Sequence, residues 1–234
     1  MGETVLPHIK IFEETKMKYL IITIIAICSH ILCYASLKKF KLINKNGKKN
    51  KLKYDEKNLL AGLLVSCLIS VFMISRVYEN VDTKLNLIKL IIFYVLLLIC
   101  AWIDYKMKII PNGMLLAGMC IRLIVYIFEY VNLGGDLRFE LYSEGIALLL
   151  VVVLLIFAAL THKGIGMGDI KLFGLMALYT GAFFVYSVLF VSVLLGAIIG
   201  IVMLLCFHKG KKTTIPFAPL ILIGYIVTSI VGSY

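Results

Sequence analysis

Two acids stand where an apolar chain has reason to avoid them. Asp104 follows the hydrophobic run 85–103, and Asp169 stands in Gly164-Ile165-Gly166-Met167-Gly168-Asp169-Ile170-Lys171, ahead of a second long apolar stretch. A carboxylate beside hydrocarbon loses its hydration, so an acid at such a place calls for a function by default. Two carboxylates held close together do not readily ionise at once and come to share a proton. One member can then activate a water while the other protonates the reacting group, which is general acid–base hydrolysis. A single acid at a loop end beside a snorkelling lysine would carry no such meaning. The second acid, in a matching position, argues for chemistry.

The elements that must position this pair are hydrophobic helices. The chain has 234 residues, 62% of them hydrophobic and only 16% charged, with a mean hydropathy of +1.00. A soluble domain cannot hide that much apolar surface, so an all-α polytopic membrane protein is expected. Eight segments, near 19–35, 59–78, 85–103, 112–130, 142–161, 169–181, 183–207 and 215–233, are long enough or nearly so to cross ~30 Å of hydrocarbon. The first has no A-x-A-like cleavage site after it and reads as an anchor. Residues 1–18 form a tail, and 19–234 a single membrane-embedded domain. The six cysteines are scattered through the apolar segments with no C-x-x-C pair, so they read as small hydrophobes, and no metal site is indicated.

Charge sets the orientation. The polar stretch 36–58 holds nine lysines against Asp55 and Glu56 and belongs in the cytoplasm by the positive-inside rule. It suits contact with anionic lipid better than nucleic acid, since no regular aromatic interleaving accompanies the basic run beyond Tyr54 and Phe40. Asp104 to Pro111, His162 to Lys171 and His208 to Thr214 then also face inward, all with lysines, while the acidic stretch Glu129 to Glu144 is an outer loop. The 38 residues from Ile170 to Phe207 would make a helix of about 57 Å at 1.5 Å per residue, almost twice the membrane core. A break near Thr180-Gly181 resolves this into two spans, the first of them short. The outcome is eight crossings, both termini outside, and both acids on the cytoplasmic side.

At these residues the chain resembles the bacterial type IV prepilin peptidases, membrane aspartic proteases of the wider GxGD class. Gly166-Met167-Gly168-Asp169-Ile170-Lys171 is similar to the family's GxGDxK signature, and Asp104 to Asn112 resembles the segment holding its first catalytic aspartate. Ile215-Pro216-Phe217-Ala218-Pro219 is similar to its I-P-F-G/A-P stretch. Three motifs in the family's order are far more specific than a lone GxGD. The resemblance implies that Asp104 and Asp169 are the catalytic pair of a prepilin leader peptidase in the bacterial inner membrane. It also implies prepilin or pseudopilin precursors as partners, cut at the cytoplasmic face between a short basic leader and an apolar helix.

Many members of that family also methylate the new N-terminus and carry a long first cytoplasmic loop with paired C-x-x-C motifs. Here the loop is short, lysine-rich and cysteine-free. Peptidase activity without methylation is therefore the expectation, with S-adenosylmethionine a cofactor only if the second activity is retained.

The motif-supporting residues have plainer expected roles. Gly166 and Gly168 shape the backbone, and Pro111, like Pro216 in its own motif, suits a helix entry. Lys171, two positions from Asp169, does not face it on a regular helix and reads as a lysine reaching the membrane surface. Gly196 and Gly200 form a G-x-x-x-G pair suited to close helix packing. The competing function is an ion-coupled transporter using Asp104 and Asp169 as a relay. Acids at one face, with no polar path leading across, fit surface chemistry better. Oligomeric state is not legible in the sequence.

Overall fold

The computed structural model describes residues 20–35, 56–80, 84–132, 137–160, 166–205 and 216–232, and every regular element among them is helical. In chain order these are α1 (Leu20–Ala35), α2 (Glu56–Asn80), α3 (Lys84–Met107), α4 (Asn112–Asn132), α5 (Arg138–Leu160), α6 (Met167–Leu205) and α7 (Ala218–Val231). Among the described residues, four helices, α3 to α6, are long and apolar enough to cross a membrane. The fold is that of a polytopic membrane protein. The tail 1–18 and most of the basic stretch 36–58 lie outside the described residues.

Two compact units divide the chain at Asn80. In the first, α1 and α2 meet through a polar contact, His30 Nε2 to Ser66 Oγ at 2.9 Å. Such a bond suits a place where lipid tails give apolar helices little reason to associate.

The second unit holds the acids. Its central helix is α3, with Phe93, Leu97, Leu98 and Ile103 almost wholly buried. α3 ends where Lys108 takes a left-handed conformation, φ 55°. Its N–H closes the last turn on the Asp104 carbonyl at 2.8 Å. Pro111 then precedes α4, and its carbonyl accepts the N–H groups of Met114 and Leu115 at 3.1 and 3.4 Å. The helical entry expected at Pro111 is thus present.

The apolar stretch beginning at Ile170 reverses direction at Gly181. That residue has φ 73° and ψ −175° inside an otherwise helical segment, and φ near +73° is glycine territory. A Cβ there would also lie 2.5 Å from Ser143 Oγ, whose hydroxyl instead accepts the Ala182 N–H at 3.2 Å. Before the break, residues 167–180 run antiparallel to α5, with Gly174 against Val151. After it, residues 182–205 run antiparallel to α7: Phe184 meets Tyr225, with ring centroids 5.0 Å apart, and Gly196 faces Phe217. Tyr225 in turn donates to the Leu90 carbonyl, while Ala218 reaches Asp104, so α7 is antiparallel to α3. Residue 196 has therefore returned to the end of the bundle where Asp169 lies. We call the halves α6a (167–180) and α6b (182–205).

Two details differ from the sequence expectation. Of the G-x-x-x-G pair only Gly196 faces α7, and α6b also comes close to α7 at Gly224, where a Cβ would lie 2.6 Å from Ser192 Oγ and 3.0 Å from the Val188 carbonyl oxygen. The acidic outer loop shrinks as well. α4 runs on to Asn132 and α5 starts at Arg138, so Glu129 and Glu144 are helical and buried. Ion pairs with Lys89 and Arg122 let them leave water.

Candidate active site

Asp104 is not at a loop edge but one turn inside α3, and only 6% exposed. Its Oδ2 accepts the Ala218 backbone N–H at 3.0 Å, and the Phe217 N–H bonds to it as well. Both donors belong to the start of α7, where the first N–H groups of a helix have no partner of their own. Pro219 follows immediately in the first turn, a position at which proline fits because its missing N–H would be unpaired anyway. Phe217-Ala218-Pro219 thus shapes a helix start that presents its free donors and positive end to a carboxylate. Pro216 lies just ahead of this start, partly exposed.

Asp169 lies in the first turn of α6a, half-buried, its carboxylate within electrostatic reach of Asp104. The glycines of the motif act through close approach. A Cβ on Gly166 would sit 2.6 Å from Asp169 Oδ2, and one on Gly168 would sit 3.2 Å from Ile110 Cβ. The first glycine leaves room for the carboxylate to fold back over the helix start. The second lets α6a pack directly on the segment joining α3 to α4. Gly164 lies outside the described residues.

Lys171 turns away from Asp169, and its Nζ donates to Asn112 Oδ1 at 3.1 Å, tying α6a to α4. The two residues stand at the edge of a cavity of about 550 Å3 whose depth is apolar, with Leu115, Met119, Leu148 and Leu178 in its walls.

The structure therefore brings Asp104, Asp169, Gly166, Gly168, Pro111 and the Pro216 segment to one end of the unit. Residue types alone did not point to the two N–H donors on Asp104 or to Ile110 as the surface against Gly168. The I-P-F-A-P stretch was the available signal, since prolines flanking a helix start imply exposed donors there.

The class so defined is a helical membrane protein with two carboxylates, from α3 and α6a, converging at one end of the bundle. Residues 91–201 match the profile of the type IV leader peptidase family. Over 177 residues the chain is 32% identical to the prepilin leader peptidase/N-methyltransferase of Bacillus subtilis (strain 168), an alignment covering 74% of this chain and 65% of the relative. Proteins of the same name from Legionella pneumophila and Pseudomonas putida are 29% and 30% identical over 138 and 130 residues. Those two alignments cover 58% and 55% of this chain and 47% and 44% of the relatives. The chain thus spans between 44% and 65% of the length of these relatives. No solved structure matches it. By these matches residues 91–201 are similar to the type IV leader peptidase family.

Proposed function

We propose that this protein is an aspartic endopeptidase that removes the short basic leader from prepilin-like precursors at the cytoplasmic face of the bacterial inner membrane. The observation that carries the reading is the convergence of Asp104 and Asp169 from separate helices, one of them held by the N–H groups of α7. One carboxylate takes a proton from water as the oxygen attacks the scissile carbonyl. The other, protonated, donates to the carbonyl oxygen. Collapse of the tetrahedral intermediate breaks the C–N bond, and the departing amine takes up the proton.

The proposed topology is eight crossings with both termini outside, in a single membrane-embedded domain that the basic stretch 36–58 anchors to anionic lipid. The reversal at Gly181 supports it, since α6a and α6b then count as two passes. The names of these relatives join peptidase and methyltransferase. For this chain we propose leader cleavage with no cofactor and no methylation, because stretch 36–58, with nine lysines and no cysteine, is too polar in composition to build a cofactor pocket on its own.

The test is cleavage of a synthetic prepilin by purified full-length protein in liposomes, followed by mass spectrometry. Leader release that is lost in both Asp104→Asn and Asp169→Asn supports the reading. Undiminished cleavage by either variant, or none by the unaltered protein, refutes it. One added methyl group on the product, with S-adenosylmethionine supplied, refutes the single-activity part alone.

A further inference from the structure

Away from the acids, the second unit buries a connected set of charges that the proposed chemistry does not use. Lys89 on α3 pairs with Glu129 on α4 at 2.6 Å and with Glu140 on α5 at 3.1 Å. Arg122 on α4 pairs with Glu129 at 2.9 Å and with Glu144 on α5, which also accepts the Tyr126 hydroxyl. Arg122, Glu129, Glu144 and Lys89 are each under 5% exposed. Burying four charges in a membrane bundle is expensive, and apolar side chains of similar volume would often serve stability as well.

The set is linked to α6a through one residue. The Arg122 guanidinium lies over the Tyr126 ring at 4.0 Å and faces the Tyr179 ring at 5.6 Å. The Tyr179 hydroxyl donates to the Gly118 carbonyl on α4 at 2.7 Å, and its ring packs on Phe93 of α3 with centroids 5.5 Å apart. Tyr179 is ten residues beyond Asp169 on α6a, about 15 Å along a rigid helix. Apolar helices in lipid can slide or turn against one another at little expense, because lipid tails solvate both arrangements alike. A slip of one residue would turn Asp169 by roughly 100° and shift it by about 1.5 Å. Something polar must fix the rotation and depth of α6a.

We propose that Tyr179 and Arg122 are positioning residues: the buried ion network holds the Arg122 guanidinium, and through Tyr179 it sets the register in which α6a presents Asp169 to Asp104. The proposal rests on the peptidase reading for its kinetic arm only.

The test reads register directly. Ile110→Cys and Gly168→Cys place two thiols where Cβ atoms approach to 3.2 Å, near the Cβ spacing of disulfides. With the six native cysteines replaced by alanine, the rate of oxidative cross-linking in membranes reports the approach of α6a to the 108–111 segment. Tyr179→Phe removes the bond to Gly118. Arg122→Lys keeps a charge but loses the planar face and the paired donors. Each is expected to slow cross-linking severalfold. In the otherwise unaltered protein each should lower kcat by roughly tenfold with KM within about twofold, the signature of misplaced reacting groups. Met73→Ala, which opens the α1–α2 unit, serves as a control that lowers thermal stability and leaves the cross-linking rate unchanged. Unchanged cross-linking in Tyr179→Phe overturns the proposal, whatever happens to kcat. Should Arg122→Lys fail to accumulate, Tyr179→Phe decides alone. Should the unaltered protein cleave no prepilin, the peptidase reading fails while the cross-linking rate still decides this one.

Discussion

Asp104 and Ala218, 114 residues apart in sequence, are joined by a 3.0 Å hydrogen bond from backbone N–H to carboxylate. The acid therefore has two tasks, caring for a helix start and supplying a reacting group, and substitutions can separate them. Asp104→Asn keeps an acceptor for the Ala218 N–H and should leave thermal stability close to that of the unaltered protein while abolishing cleavage. Asp104→Ala removes the acceptor as well and should cost a further ~1 kcal/mol, the usual worth of a helix cap. Melting curves of the two variants in detergent check the difference. Equal stability would show that α7 does not depend on the carboxylate.

Asp169→Asn should likewise abolish cleavage, with normal insertion and unchanged stability. Its side chain is half-buried in the first turn of α6a and, unlike Asp104, caps no neighbouring helix among the described residues. Leader release measured by mass shift in liposomes is the check.

Gly166→Ala should lower kcat more than it raises KM. The new methyl group would stand 2.6 Å from Asp169 Oδ2, so the carboxylate must swing aside, and a displacement near 1 Å can reduce turnover by roughly a hundredfold. Steady-state kinetics with a soluble leader peptide would show it. A variant with unchanged kcat would mean that the carboxylate does not work from this position.

Gly181→Ala should destabilise the protein by about 1–3 kcal/mol through its backbone alone, since φ 73° with ψ −175° is a conformation essentially only glycine adopts. The contact with Ser143 Oγ adds to this. Gly181→Val should fail to accumulate in membranes.

Cysteine labels at positions 108 and 211 should react from the same side of the membrane, and a label at position 136 from the other. The reversal at Gly181 requires this arrangement. Labels at 108 and 211 reacting from opposite sides would mean that α6 crosses once.

How much of this was legible beforehand depended on the kind of signal. Apolar length marked the helices, and the excess length after Ile170 required a break that the structure has at Gly181. The two acids stood out because hydrocarbon flanks them. Glu129 and Glu144 did not, because they border a short polar turn and so looked like loop residues. Only the three-dimensional meeting with Arg122 and Lys89 explains why they can be buried. Backbone donors such as the Ala218 N–H leave no mark on residue type, and flanking prolines are their only trace. The glycine contacts were hidden for a similar reason: Ile110 and Gly168 are 58 positions apart, and nothing in either residue names its partner.

The shortness of α6a has a consequence for the water that reaches the acids. Residues 167–180 rise about 21 Å at ~1.5 Å each, some 9 Å less than a hydrocarbon layer of ~30 Å. Most of this helix is buried within the unit, Ile170, Leu172, Phe173, Met176 and Ala177 included, so its shortfall falls among protein side chains and not against lipid. On the proposed eight-crossing topology the end of such a helix stands in a recess walled by its neighbours. Water filling that recess would reach the two carboxylates without either helix having to leave the membrane.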